Sequence, residues 1–205
     1  MCGRFVLMSN LSDIERKFNV QEVDCDYRPS SNVLPGQHIA AVVYDGINRL
    51  VSFRWGLIPA WAKDPSIGSR LINARAETLL EKPSFRNAFK KRRCLIVADG
   101  FYESLKREKA KIPLYFRLKS GNPFGLAGLY ETWTSPEGNP VSTCTIITTE
   151  PNDLIQPIHN RMPVIVPKTK EFLWIDPSVQ SLNILASILT PYPAGEMEVL
   201  TPHQR

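Results

Sequence analysis

A chain of 205 residues with 43% hydrophobic content builds one sizeable core, or at most two small ones. No run approaches the roughly 18 apolar residues that a membrane span needs, and the first residues contain no apolar signal core, so the cytosol is the expected compartment. Four scattered cysteines and three scattered histidines, with no C-x-x-C spacing, argue against a zinc site or a disulfide framework, while a net charge of +5 permits a nucleic-acid partner without demanding one.

The chain opens Met1-Cys2-Gly3-Arg4-Phe5. Removal of Met1 would leave an α-amine and a thiol on adjacent carbons. An α-amine titrates at about 7.7–8.0, against about 10.4 for lysine, so roughly a quarter of it is neutral at pH 7.4. A thiol with a pKa near 8.5 adds a few per cent thiolate. Such a 1,2-aminothiol is arranged to capture an aldehyde: the amine forms an imine and the sulfur closes a five-membered thiazolidine. Read alone, Cys2 is more often an ordinary second residue, and its meaning depends on the rest of the chain.

Residues 9–19 carry helical periodicity through Leu11, Ile14 and Phe18, with Ser12 and Glu15 at capping-box spacing. A loop is expected over Asp24 to Gln37, where Asn32 and Pro35 could shape a groove. His38–Tyr44 and Arg49–Trp55 read as a hairpin around Asp45-Gly46. Trp55 and Trp61, separated by Gly56 and Pro59, do not fit one strand face. One is expected in the core, and Trp61, nearer the polar loop, on the ligand side, where an indole can stack on an unpaired base.

Asn73, Arg75 and Glu77 alternate with small alanines, so an extended segment would turn all three polar side chains one way. A short basic helix over Pro83–Lys91 follows, anchored by Phe85 and Phe89. Arg92–Ala98 reads as a strand buried on both faces, ending at Asp99-Gly100. Glu103, just beyond it and flanked by Phe101 and Tyr102, is a candidate for desolvation and acid–base work; a surface position is the alternative. Lys106–Lys111 suggests a charged turn, and Leu114–Leu118, Phe124–Tyr130 and Ser142–Thr149 suggest strands. Pro151–Gln156, Lys170–Trp174 and Ser178–Leu189 suggest helices, and the tail Pro191–Arg205 offers no chemistry. Between prolines 157 and 163, His159 is held beside Arg161, a backbone arrangement that fixes side-chain directions.

Taken together, Cys2-Gly3-Arg4-Phe5, Arg54-Trp55-Gly56-Leu57-Ile58-Pro59, Asn73-Ala74-Arg75-Ala76-Glu77, Arg93-Cys94-Leu95-Ile96, Asp99-Gly100-Phe101-Tyr102-Glu103 and His159-Asn160-Arg161-Met162-Pro163 resemble the SRAP family (SOS response-associated peptidases, abasic-site processing proteins). The likeness is collinear from Met1 to Pro163. It implies a sensor of abasic sites in single-stranded DNA that crosslinks through Cys2 after self-removal of Met1, with peptidase and lyase activity. It also implies roles: Asn73 orients Cys2, Glu103 is the acid–base carboxylate, His159 moves protons, Arg75, Arg161 and Arg4 hold phosphates, and Trp61 packs on the DNA. Imine formation needs a proton moved and water expelled, so a carboxylate and an imidazole suit it; arginines suit phosphate. Ser104, Asn160 and Ser31 depart from the family's usual tryptophan, aspartate and tyrosine. No cofactor, metal or membrane is expected, and the chain should act as a monomer, nucleoid-associated if bacterial.

Two rivals remain at this level. One is an N-terminal-nucleophile amidohydrolase such as a glutamine amidotransferase, in which Cys2 attacks an amide. The other is a non-catalytic single-strand-binding module. The fold expected is α+β: one domain over residues 1–205, with a strongly curved, mainly antiparallel, barrel-like sheet and short peripheral helices.

Overall fold

In the computed structural model, residues 2–107 and 110–201 are described. Thirteen strands run in order as β1 (Phe5–Leu7), β2 (Glu22–Asp24), β3 (Ser30–Val33), β4 (His38–Tyr44), β5 (Asn48–Trp55), β6 (Asn73–Arg75), β7 (Arg93–Ala98), β8 (Gly100–Arg107), β9 (Ala110–Leu118), β10 (Phe124–Thr134), β11 (Pro140–Thr149), β12 (Met162–Pro163) and β13 (Met197–Leu200). Four short helices accompany them: α1 (Leu11–Phe18), α2 (Pro83–Lys91), α3 (Glu171–Ile175) and α4 (Leu182–Ala186).

The strands β11, β10, β7, β4 and β5 pair antiparallel in that order, and β5 then pairs parallel with β11, so five strands close into a barrel. Closure removes the open edges that a sheet so rich in Val, Ile and Leu would otherwise expose. A second, fully antiparallel sheet follows the order β13-β9-β8-β1-β3. The chain passes between the sheets at Asp99, whose carboxylate accepts from the Ser9 N–H at 2.8 Å and the Ser9 hydroxyl at 2.6 Å. One apolar cluster spans both sheets, and Phe5 of β1 lies 5.4 Å from Trp55 of β5, ring centre to ring centre. The expected α+β architecture is what the structure shows.

The barrel's parallel seam positions the candidate site. Strand β5 leaves β11 at Gly56, whose N–H donates to Cys144 O at 2.8 Å; the chain makes an excursion over 57–72, then returns as β6 on the same edge of β11. The base of the excursion is pinched where Gly56 and Gly68 cross. A Cβ on either glycine would lie 2.8 Å from the other's carbonyl oxygen, and Gly56 holds φ +130. Gly68→Ala should therefore cost about 1–3 kcal/mol in denaturant unfolding. It should also loosen the excursion that carries Trp61, read as a rise in tryptophan accessibility to acrylamide.

Several local expectations change. Helix α1 is capped by Asn10, whose Oδ1 accepts from Asp13 N–H at 2.9 Å; Ser12 merely donates to that same oxygen at 2.7 Å, so no Ser12–Glu15 box forms. The segment expected as a loop over 24–37 contains β3, recruited by pairing with β1. Pro151–Gln156 is a turn, because Asn152 draws the Ile155 and Gln156 N–H groups to itself and Pro157 stops propagation. The helix expected over 178–189 shrinks to α4: an Asp176–Ser178 side-chain turn occupies its start and Ser181 caps it late. The tail forms β13 along β9, which nothing local announces. The charged turn narrows to the link between Arg107 and Ala110, and residues 108 and 109 lie outside the described residues. Only Asn73 and Arg75 are extended; Glu77 sits in a single 3-10 turn over Ala76–Thr78.

Candidate active site

The seam between the two sheets gathers residues from four distant parts of the chain. Cys2 leads into β1 and is fully buried. Asn73 on β6 donates its Nδ2–H to the Cys2 carbonyl at 2.9 Å. Strand β6 is held there by its parallel pairing with β11 and by Ile72 O, which accepts both the Ile146 N–H at 3.1 Å and the Trp55 indole N–H at 2.8 Å. Trp55 thus acts as the core tryptophan and as a brace for the residue before Asn73. The Oδ1 of Asn73 is buried and finds no partner among the described residues.

Glu103 enters from β8, 6% exposed. Burial pushes its carboxyl above the ordinary carboxylate range, with the positive charge of His159 among the opposing influences. Cys2 is pushed up to about 12, first by burial and then by the Glu103 charge, while the Arg4 N–H pulls the other way. The few per cent thiolate expected from an ordinary thiol is therefore suppressed by burial.

His159 stands in the turn between β11 and β12, its own N–H donating to Ile155 O at 2.9 Å. Its Nδ1 accepts the Arg161 N–H at 3.0 Å and lies 3.3 Å from the Arg161 carbonyl oxygen; the shorter contact favours the tautomer with its proton on Nε2. The guanidinium of Arg161 makes two parallel bonds to the Glu77 carboxylate, both 2.9 Å, and a third to Thr148 O at 2.6 Å. Arg75 shares β6 with Asn73 but is exposed, and in register it lies beside Thr148. Arg4 lies flat on Tyr102, its guanidinium carbon 4.1 Å from the ring centre. Trp61 is 60% exposed at the tip of the excursion.

Cys2, Asn73, Glu103 and His159 thus converge, and Arg161 joins them through its main chain. Arg75 follows Asn73 on β6 and Arg4 lies over Tyr102, next to Glu103 in the chain, while Trp61 is carried by the exposed excursion. Sequence reading grouped Glu77 with Asn73 and Arg75 on one polar face and gave it no partner; its pairing with Arg161 depends on a contact across 84 positions. Thr148 and Trp55 were missed as supports for the same reason. Among the described residues, no group of three or more His, Cys, Asp or Glu is placed to hold a metal ion, and no helix is long and apolar enough to cross a membrane.

A closed five-stranded barrel that buries Cys2, the second residue, with Asn73 on its carbonyl and the Glu103 carboxylate within electrostatic reach defines the class of protein. The chain belongs to the SRAP family, the SOS response associated peptidases, whose sequence pattern matches residues 1–204. It is 52% identical over 202 residues to the abasic site processing protein YoqW of Bacillus subtilis, covering 97% of this chain and 90% of that one. It is 33% identical over 172 residues to the abasic site processing protein HMCES of Gallus gallus, covering 68% and 51% respectively. A crystal structure of a protein from Bacteroides thetaiotaomicron superposes with a TM-score of 0.91 at 28% identity, covering 98% of this chain and 91% of the other.

Proposed function

We propose that this protein, once Met1 is removed, captures abasic sites in single-stranded DNA by forming a thiazolidine through Cys2. The observation that supports the reading is the burial of Cys2 with Asn73 on its carbonyl and the Glu103 charge within electrostatic reach of its thiol. The relatives named as abasic site processing proteins support the lesion as substrate.

The chemistry runs in balanced steps. The neutral α-amine adds to the aldehyde carbon of the ring-opened sugar, giving a carbinolamine. Protonation of its oxygen expels one water and leaves the imine. The Cys2 thiol then gives up its proton, with Glu103 as base, and the sulfur closes on the imine carbon while nitrogen regains a proton. A carboxyl held above its ordinary range by burial is suited to donate in the first half and accept in the second. His159, protonated on Nε2, is the second proton carrier. Asn73 holds the backbone of Cys2 so that nitrogen and sulfur face the same carbon.

The exposed Arg75 meets the DNA backbone directly. Arg161 adds positive charge through the donors that Glu77 and Thr148 leave over, Arg4 contributes from its Tyr102 stack, and Trp61 offers a face to a base. Three phosphate contacts on a single strand give a log–log salt slope of roughly −2, at about −0.7 each. Arg75→Ala should weaken binding across all sequences and flatten the slope to about −1.4. Filter binding at several salt concentrations reads this, and an unchanged slope removes Arg75 from the backbone contact.

Intact mass tests the reading as a whole. Mature protein mixed with an abasic oligonucleotide should give a species equal to the sum of the two masses less one water. Protein that retains Met1 should give none, because its reactive nitrogen is tied up in an amide.

A further inference from the structure

Glu77 is a carboxylate beside the site that takes no part in the crosslinking steps. It lies 46% exposed at the mouth of the cluster, yet both its oxygens are spent on Arg161, whose side chain is only 12% exposed. An exposed ion pair ordinarily contributes little, because solvent competes for both partners. This one differs in geometry: the two bonds are parallel, and Thr148 O fixes the guanidinium from a third direction. Thr148 is fully buried and belongs to β11, beside Arg75 in register. Arg161 is thereby tied at once to the 3-10 turn after β6 and to the end of β11. Its main-chain N–H is the group that donates to His159 Nδ1 at 3.0 Å.

We infer that Glu77 is a positioning residue for His159. Its carboxylate clamps the Arg161 side chain, the clamp sets the pitch of the 159–161 turn, and that turn holds the Arg161 N–H on Nδ1. The imidazole is then kept in one ring orientation and one neutral tautomer, with Nε2–H as the group available for proton transfer. Without the Glu77 carboxylate, the turn between Pro157 and Pro163 keeps its proline restraints, the Arg161 bond to Thr148 O and the pairing of β12 with β11, but loses its tie to the 3-10 turn after β6. Nδ1 then competes for solvent, and the ring samples both tautomers.

This inference rests on the proposed role of His159 in crosslinking, and the experiment separates the two. The mature protein and its Glu77→Gln and Glu77→Ala variants are compared by three readouts: the single-turnover rate of crosslinking to an abasic oligonucleotide, affinity for the same strand without the lesion, and the ring nitrogen shifts of His159 from long-range proton–nitrogen spectra. The unsubstituted protein should show the Nε2–H tautomer. Both variants should show a mixture, crosslink about tenfold more slowly, and bind intact strand no more weakly than the original, since each substitution removes a negative charge beside Arg161 and Arg75. Glu77→Gln keeps the size and one acceptor of the side chain, so it guards against a folding defect that Glu77→Ala could introduce. A slowed rate with the tautomer unchanged overturns the inference, as does lost affinity at an unchanged rate. So does a variant indistinguishable from the parent. If the parent forms no crosslink, the proposed abasic-site capture fails, while the tautomer comparison still decides whether Glu77 orders the ring.

Discussion

Cys2→Ala should leave no adduct with abasic DNA that survives heating in detergent, the largest loss expected of any single substitution here. The variant keeps an α-amine after Met1 removal and can still form an imine with the aldehyde. That imine hydrolyses on denaturation, because no sulfur closes the ring. Borohydride should therefore trap a covalent species from Cys2→Ala, whereas the unsubstituted protein needs no reductant. Cys2 is fully buried, but removal of one sulfur atom from the core costs only about 1 kcal/mol, so the variant stays folded. A heat-stable, unreduced adduct from Cys2→Ala would sink the thiazolidine mechanism. The comparison is informative because burial has raised the thiol to about 12. The amine opens the reaction and the sulfur makes it last, so the two proteins should differ in durability more than in encounter.

Glu103→Gln should slow crosslinking by about 10²-fold while leaving affinity for intact single strands nearly unchanged. An amide can neither protonate the carbinolamine oxygen nor take the thiol proton, so both halves of the reaction lose their shuttle. The same substitution should raise thermal stability at neutral pH, which a damaged fold would not do. Burial holds the Glu103 carboxyl above its unfolded value. The folded state therefore binds that proton more tightly than the unfolded chain does, and stability conferred by the group falls as pH rises from the ordinary carboxylate range through the raised folded value. Below that window both states are protonated and the penalty vanishes. The melting advantage of Glu103→Gln should accordingly be present at pH 8 and shrink toward pH 4, near the unfolded glutamate range. A variant that crosslinks at the normal rate removes Glu103 from acid–base work. One that melts lower at every pH shows that the carboxylate stabilises the fold and that its burial has been misjudged.

Much of the framework was legible from local pattern. The hairpin of β4 and β5, the basic helix α2 with its phenylalanine pair, and the fully buried β7 all appear where periodicity and turn residues put them. Of the two tryptophans around Gly56, Trp55 is buried and Trp61 exposed, as their surroundings suggested. The segments misread share a cause. β3 and β13 are strands only because a partner strand lies alongside, and neither carries alternation strong enough to stand out. The helices expected over 151–156 and 178–189 gave way to side-chain turns at Asn152 and Asp176, which compete locally for the same N–H groups.

The kind of chemistry was already written in residue types: a cysteine one peptide bond from the amino end, a carboxylate after an apolar strand, a histidine between prolines, and arginines near each. Those features depend on composition and short spacing, which a linear reading can see. Convergence was decided elsewhere. Residues 2, 73, 103 and 159 meet because β5 and β6 both run parallel to β11 and because the chain changes sheets at Asp99. The grip of Glu77 on Arg161 and the burial that suppresses the Cys2 thiolate follow from that same arrangement. Side-chain periodicity reports which face of a segment is apolar and is silent about which distant segment will cover it. Proton affinity depends on that covering, so it could be set only once the barrel had closed.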